Sequence, residues 1–307
     1  MPNTRLPRFR RAGGLPPVTL TERDRAILTL VHRHRFLRST HLVALLGGSR
    51  QHLLRRLQRL YHHGYLERPR AQLDYFHTGG SQALVYGLGN RGAAYLKRSL
   101  KLPFPRLDWN RRNQDATRLF LEHTLQVADA LVALEVACRQ SGAPVFLAAE
   151  QLALPDATAR SRTPFRWSVS LPGRRRCGVV PDGVFGLEFS TGDRRWFFLE
   201  ADRATMPVKR QELAQSSCFR KLLAYEATWT QGLHRSRFGW ARFRVLTLTS
   251  SAERVEHLAQ ASRELARGRG LFLFGERATF LADPLGSRLT NGHGRPEPLA
   301  DPSGSVV

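Results

Sequence analysis

Apolar residues recur with a helical period in the first third of the chain and predict three consecutive helices. The predicted helices span residues 21–35, 39–46 and 49–64, and a glycine pair separates the second from the third. Thr21 and Asp24 stand in the positions of a capping box at the start of the first helix. The pattern therefore predicts a small helical unit at the N-terminal end of the chain.

The third predicted helix keeps its leucines at helical spacing and leaves its basic and amide side chains on other faces. These side chains are Arg50, Gln51, Arg55, Arg56 and Arg59. Two strands near 65–68 and 83–88 follow, and a short helix runs from Asn90 to about Leu100. This order predicts a winged helix-turn-helix domain over residues 19–100, with the third helix in the major groove of DNA. A helical domain with a solvated basic face is the alternative.

The rest of the chain alternates between helices and strands, which predicts an α/β domain over residues 115–282 around a central mixed sheet. The predicted elements are a helix at 115–139, strands at 143–147, 179–187 and 196–199, a helix at 206–230, a strand at 243–248, a helix at 252–267 and a strand at 271–274. We expect an irregular excursion over 153–168, a basic linker over 101–114 and a disordered tail over 283–307. The protein is thus predicted to be a two-domain α+β chain.

Net charge points to a nucleic-acid partner. The formal net charge is +23, and residues 1–112 carry 22 Lys and Arg against 5 Asp and Glu. Residues 1–18 are predicted to be a disordered basic arm, in which Arg8, Arg10 and Arg11 can add phosphate contacts. Double-stranded DNA is the expected partner. A general preference of the genome for arginine codons is the alternative, but it does not explain the asymmetry along the chain.

Composition also narrows the cellular setting. No apolar run approaches the roughly 18 to 20 residues of a membrane span, and no signal-peptide segment follows the basic N-terminus. The three cysteines, Cys138, Cys177 and Cys218, stand far apart without a C-x-x-C pair. We therefore expect a cytoplasmic protein, associated with the nucleoid or a plasmid, without membrane contact.

Acidic residues lie inside two apolar strands of the second domain. Side chains alternate along a strand, so Glu200 and Asp202 share one face, and Asp182 on the partner strand can come close to Glu200. Clustered carboxylates repel one another unless a hard cation such as Mg²⁺, or an Arg or Lys, neutralises them. The sequence thus predicts a functional site at this hairpin.

This arrangement resembles the restriction-endonuclease-like PD-(D/E)xK fold. The resemblance implies that Asp182 and Glu200 hold Mg²⁺, for which Mn²⁺ can substitute, and that a lysine polarises the attacking water. The chain has Asp202 where that lysine is expected. Lys221 on the next helix is a candidate replacement, and its spacing to Tyr225 resembles the Gln-x-x-x-Tyr motif of RecB-like nucleases.

The chain as a whole is similar to the replication-relaxation family of plasmid and mobile-element proteins. The segments that carry the similarity are LTERDRAIL with HRFL, RRLQRL with GYL, YGLGNRGAAYL, His123, FFLEADRATMP and RKLLAY. The resemblance implies a role in plasmid replication or DNA relaxation.

Two hypotheses follow. In the first, the chain is a DNA-binding protein of a plasmid or mobile element and a Mg²⁺-dependent endonuclease or nickase, with Asp182, Glu200, Asp202 and Lys221 as catalytic residues. In the second, the chain is a DNA-binding regulator or replication accessory. Its nuclease-like domain then only forms a homodimer or binds replication or mobilisation proteins.

Overall fold

The computed structural model describes residues 7–75, 83–100, 108–210 and 215–299. The chain divides into two compact units, residues 1–132 and 133–307, and the division falls within a long helix on the C-terminal side of the predicted linker. The predicted mixed α+β class is confirmed. Among the described residues, no helix is both long and apolar enough to span a lipid bilayer.

Unit 1 is mostly helical. Its elements are α1 (Glu22–His34), β1 (Phe36–Arg38), α2 (Ser39–Leu46), α3 (Arg50–His62), β2 (Leu66–Glu67), β3 (Val85–Leu88), α4 (Asn90–Leu100), α5 (Trp109–Gln114) and the first part of α6 (Arg118–Ser141). The Thr21 hydroxyl accepts from the Asp24 amide while the Asp24 carboxylate accepts from the Thr21 amide, so the predicted capping box is confirmed. Ser49 caps α3 by accepting from the His52 amide.

The strands of unit 1 form a three-stranded antiparallel sheet in the order β1-β3-β2. The two strands predicted after α3 are confirmed, whereas β1 is only three residues long and has no sequence signal of its own. It forms because Phe36 is fully buried against Leu121 and Leu125 of α6. The connection between β2 and β3 is described as far as residue 75, and residues 76–82 lie outside the described residues.

Unit 2 is built around a seven-stranded sheet. After the end of α6 its elements are β4 (Val145–Ala148), α7 (Asp156–Ala159), β5 (Trp167–Leu171), β6 (Arg175–Val179), β7 (Gly183–Glu188), β8 (Arg194–Ala201), α8 (Cys218–Thr230), α9 (Leu233–Phe238), β9 (Arg244–Thr249), α10 (Ala252–Ser262), β10 (Phe272–Glu276), α11 (Arg277–Ala282), β11 (Arg288–Asn291) and β12 (Pro296–Pro298). The strand order is β12-β11-β10-β9-β8-β7-β4. The strand β8 is parallel to β9 and β9 to β10, while the other neighbours are antiparallel, so the predicted mixed sheet is confirmed.

Side-chain alternation along β8 decides what covers each face of the sheet. Phe198 is fully buried in the same core cluster as Tyr225 of α8 and Leu258 of α10. Phe197 points to the other face and stacks on Phe185 of β7 at 4.8 Å between ring centroids. The face that carries Phe198 therefore also carries Glu200, which lies two residues further along the strand.

Three boundaries of the predicted elements were wrong, and one of them is the end of the helix predicted over 252–267, which the structure places at Ser262. The helix predicted from residue 206 begins at Cys218, because the hydroxyl of Ser217 accepts from the Arg220 amide and caps it there. Glu212, predicted within that helix, lies outside the described residues. The strand predicted over 179–187 is interrupted at Pro181, which has no amide hydrogen to donate.

Two segments predicted to be irregular contain strands. The excursion predicted over 153–168 contains the helix α7, and its last two residues begin β5, which pairs with β6 and buries every second side chain, beginning with Trp167. The disordered tail predicted from residue 283 is wrong as far as residue 298, because β11 and β12 extend the sheet from the edge of β10. An unpaired strand edge offers backbone donors and acceptors to any neighbouring segment, and burial of Leu289 adds to the pairing. Part of the predicted linker is also helical, since α5 covers 109–114 with Asp108 as its cap.

Candidate functional site

The hairpin of β7 and β8 brings two carboxylates to neighbouring positions. Gly183 pairs with Leu199 in the last rung of this ladder, and Asp182 directly precedes Gly183 as Glu200 directly follows Leu199. The Asp182 amide donates to the Leu199 carbonyl at 3.0 Å, and Oδ2 of Asp182 accepts from the Ala201 amide at 2.9 Å. The charge of Asp182 raises the pKa of both Glu200 and Lys221, so the Asp182 carboxylate lies close to both groups.

Helix α8 adds a lysine and a tyrosine to this side. Lys221 and Tyr225 are four residues apart, which puts them on one face of the helix. The ammonium nitrogen Nζ of Lys221 lies 2.5 Å from Oε2 of Glu200, and the hydroxyl of Tyr225 donates to Oε1 at 2.5 Å. Both oxygens of the Glu200 carboxylate therefore have a charged or polar donor.

The surroundings of Glu200 raise the pKa of its carboxyl group. Glu200 is only 5% exposed, and this burial raises the pKa of its carboxyl group to about 7. The charge of Asp182 also raises this pKa, while the Lys221 ammonium acts to lower it. Burial acts to lower the pKa of Lys221, but the charges of Glu200 and Asp182 outweigh it and keep that pKa above its ordinary value. Glu200 consequently titrates near neutral pH, while Lys221 remains a cation.

A cleft of about 300 Å³ opens onto these groups. Residues 177–180 of β6 and the following segment line one part of it, and Met206, Arg220 and Lys221 line another. Glu200 is also among its lining residues. The ionisable cluster is thus accessible from a cavity large enough for a small ligand.

Asp202 stands apart from this cluster. Its Oδ2 accepts from Nε of Arg254 at 2.9 Å and from the Thr249 hydroxyl at 2.8 Å. Arg254 belongs to α10, so the carboxylate of Asp202 is directed to that helix rather than to Glu200. Of the four residues predicted from sequence, the structure brings together Asp182, Glu200 and Lys221, and it adds Tyr225.

The donor set fits a magnesium ion of the kind that uses few protein ligands. In the described part of the chain, no three His, Cys, Asp or Glu side chains form a group that can hold a metal. Mg²⁺ is commonly bound by one or two carboxylates together with waters and substrate phosphates. Each carboxylate oxygen has two lone-pair directions, so Glu200 can accept from its present donors and still contact a cation.

The exposed face of α3 is the second candidate site. Arg50, Gln51, Arg55 and Arg59 are exposed, and these three arginines form no ion pair with any residue that the structure describes. Arg56 differs from them, because its guanidinium binds both oxygens of the fully buried Asp24 and the Thr19 carbonyl. The structure therefore gives Arg56 an internal partner and leaves the other four side chains on the surface.

The basic arm is described from residue 7 and has no regular secondary structure. Arg8 and Arg10 are exposed, whereas Arg11 binds Glu67 of β2 at 2.7 Å and the Tyr61 carbonyl at 3.2 Å. The Ala12 amide also donates to Nδ1 of His62 at 3.1 Å. Residues 11 and 12 are consequently attached to the end of α3 and to β2.

Sequence reasoning did not find the basic end of the β5–β6 hairpin. The run Arg174-Arg175-Arg176 immediately precedes Cys177, the first cleft-lining residue in chain order. Three consecutive arginines between two alternating apolar segments were the available signal.

Comparison with known proteins identifies the family. Residues 28–241 match the family model described as replication-relaxation. No curated protein and no solved structure matches the chain. Because the matched region covers more than half of the sequence, the chain belongs to the replication-relaxation family.

Proposed function

We propose that the chain is a DNA-binding protein of a plasmid or other mobile element, and that unit 2 is a Mg²⁺-dependent phosphodiesterase that nicks or cuts DNA. In this proposal residues 19–100 form a winged helix-turn-helix and unit 2 has a PD-(D/E)xK nuclease-like fold. The proposal depends on one observation, the ion pair between Lys221 and Glu200 with the charge of Asp182 nearby. It gives the carboxylate pair a lysine, although the strand has an aspartate at position 202.

Each residue of the cluster then has a distinct role. Asp182 and Glu200 would hold the Mg²⁺ ion, which supplies a Lewis acid and a bound water of lowered pKa. The ammonium of Lys221 lies beside Glu200 and stabilises negative charge that develops on the phosphate oxygens. Tyr225 donates to Oε1 of Glu200 from a fully buried position, which holds the carboxylate in one orientation.

DNA binding is proposed for the exposed face of α3. Arg50, Gln51, Arg55 and Arg59 would contact base edges and phosphates of double-stranded DNA, and Arg8 and Arg10 would add phosphate contacts. The antiparallel pair of β2 and β3 follows α3 directly, as the wing of such a domain does.

The phosphodiesterase is tested on supercoiled plasmid with Mg²⁺ or Mn²⁺. We expect the full-length protein to convert the plasmid to open-circular or linear forms. The variant Asp182→Asn keeps an oxygen for the Ala201 amide but removes the charge, and should lower the rate at least about 100-fold. Glu188→Gln is the matched control, because Glu188 lies at the other end of the same hairpin and pairs with Arg194.

A regulator without catalytic activity is the second candidate function. It is favoured by the fact that both oxygens of Glu200 already have protein donors, so the cluster is complete as a structural ion pair. Unit 2 would then mediate homodimerisation or contact replication or mobilisation proteins. Plasmid that stays supercoiled with the wild-type protein in both metals, while duplex DNA is still bound, decides for this function.

A further inference from the structure

The β5–β6 hairpin is rigidly attached to the helix that carries Lys221. The indole nitrogen of Trp167 donates to the Thr228 hydroxyl of α8 at 2.9 Å. The side-chain amide of Gln231 accepts from the Ser170 amide at 3.2 Å and donates to the Ser170 carbonyl at 2.7 Å. One wall of the cleft is therefore held in a defined position relative to the ionisable cluster.

The end of this hairpin is strongly basic. Arg175 and Arg176 are exposed and have no ion-pair partner within the described ranges of the chain. Strands rise about 3.3 Å per residue, so the Cα atoms of Arg175 and Cys177 are about 7 Å apart, a distance that an extended arginine side chain can cover. Arg220 lines the cleft itself, next to Lys221. We call Arg175, Arg176 and Arg220 the basic rim.

The charge balance at the cleft favours an anionic ligand. Glu200 is the one carboxylate among the lining residues, and it is already paired with Lys221. The lining residues therefore offer no free carboxylate with which Arg175 or Arg176, at the start of β6, could form an ion pair. Guanidinium groups bind phosphate oxygens through paired N–H donors.

The walls of the cleft have a different character from its rim. Val179, Val180 and Met206 line it with apolar surface, and Val180 is 57% exposed. Cationic side chains that follow the backbone are typical of single-strand recognition, and an unpaired base can pack against apolar side chains. The volume of about 300 Å³ suits one nucleotide, and a base that is paired and stacked within a duplex cannot enter such a cavity.

We infer that the basic rim and the apolar wall hold a single-stranded segment of DNA, with one unpaired nucleotide in the cleft beside Glu200 and Lys221. The inference rests on the proposed function in taking DNA as the ligand, but holding the strand does not require that it be cut. The rim would position the strand, and the ionisable cluster would act on it.

The test measures binding of the full-length protein to a fluorescent oligothymidylate and to a duplex of the same length, without divalent metal, across a salt series. The slope of log Kobs against log salt is negative, and each lost phosphate contact reduces its magnitude by about 0.7 for a single strand. We expect the double variant Arg175→Ala/Arg176→Ala to reduce the magnitude of the single-strand slope by about 1.4 and to leave duplex binding unchanged. The double variant with lysine at the same two positions should retain most of the slope.

The control variant removes two arginines elsewhere on unit 2. Arg288 on β11 and Arg295 in the following turn are exposed, and β9 and β10 separate β11 from β8. Their double alanine variant should bind like the wild type. An unchanged single-strand slope in the Arg175/Arg176 variant overturns the inference, and so does a loss that is equally large for the duplex.

This outcome is separable from that of the proposed phosphodiesterase. If the wild-type protein does not nick plasmid but the rim variant shows the expected loss of salt dependence on single strands, the inference is supported and the phosphodiesterase is excluded. A protein whose nicking depends on Asp182 but whose single-strand slope is unaffected by the rim variant retains the phosphodiesterase and loses the inference.

Discussion

Lys221 lies with its ammonium nitrogen 2.5 Å from Oε2 of Glu200, although the two residues belong to different elements, α8 and β8. The strand itself has Asp202 two residues after Glu200, and that carboxylate is bound by Arg254. The cation beside the carboxylate pair is therefore contributed by a helix instead of by the strand. This relationship is the basis of the predictions on unit 2.

Replacing Lys221 by methionine should lower the proposed plasmid-nicking rate by about 100- to 1,000-fold, the usual effect of removing one group that stabilises transition-state charge. Methionine keeps the length of the apolar stem, so the packing of this α8 side chain changes little. Lys209→Met is the control, since Lys209 is also a lysine of unit 2 but pairs with Glu264. Equal rates for the Lys221 variant and the wild type would exclude Lys221 from catalysis.

Binding of Mn²⁺ should depend on pH through Glu200. Its pKa is raised to about 7, so the carboxyl is mostly protonated below that pH, and a divalent cation has to displace the proton. We expect the apparent affinity to rise up to about tenfold per pH unit below pH 7 and to level off above it. Electron paramagnetic resonance of free Mn²⁺ measures this affinity.

In Glu200→Gln both the binding and its pH dependence should be lost, while Glu188→Gln should behave like the wild type. Affinity that stays constant between about pH 5 and 8 in the wild type would contradict the assignment of Glu200 as a ligand.

Tyr225 should stabilise unit 2 through its hydrogen bond to Glu200. In Tyr225→Phe the buried carboxylate loses one donor, which should cost about 1–3 kcal/mol of unfolding free energy at about pH 8. The cost should be smaller at about pH 5, because Glu200 is then mainly neutral. Urea unfolding followed by tryptophan fluorescence reports on unit 2, which contains Trp167, Trp196, Trp229 and Trp240.

A double-mutant cycle with Glu200→Gln isolates the interaction. The Tyr225→Phe substitution should cost less in a protein that already carries Glu200→Gln than in the wild type. Equal costs in the two backgrounds would show that Tyr225 acts through packing alone.

Arg56 and Arg55 are adjacent in the sequence, but substitution of Arg56 should affect stability and substitution of Arg55 should affect DNA binding. Arg56→Met leaves the buried carboxylate of Asp24 without its cation and should destabilise unit 1 by about 3 kcal/mol. Arg55→Met should leave stability unchanged and lower the salt slope of duplex binding by about 0.9. Denaturant unfolding by circular dichroism and fluorescence anisotropy with duplex DNA measure the two effects. Weakened DNA binding in a fully folded Arg56 variant would assign Arg56 to the interface after all.

Much of unit 1 could be predicted because its signals are local. The capping residues Thr21 and Ser49 lie within three residues of the amides they bind, and Gly47 and Gly48 adopt positive φ values of 61° and 73° in the turn before α3. The alternation along β8 is equally local, and it correctly put Glu200 on the face that carries Phe198. The sequence by itself thus determined the helices of unit 1 and the side of the sheet on which Glu200 lies.

Only the tertiary structure decided which partners these side chains acquire. Arg55 and Arg56 are both basic residues of α3, but packing against α1 gives only Arg56 a buried carboxylate. Likewise β11 and β12 become strands because the edge of β10 is open for pairing. The local sequence pattern of residues 288–298 does not predict this pairing. Lys221 meets Glu200, and Asp202 meets Arg254, because helices far apart in sequence pack on one face of the sheet. Ion pairs of this kind depend on distances between elements, and sequence spacing does not contain those distances.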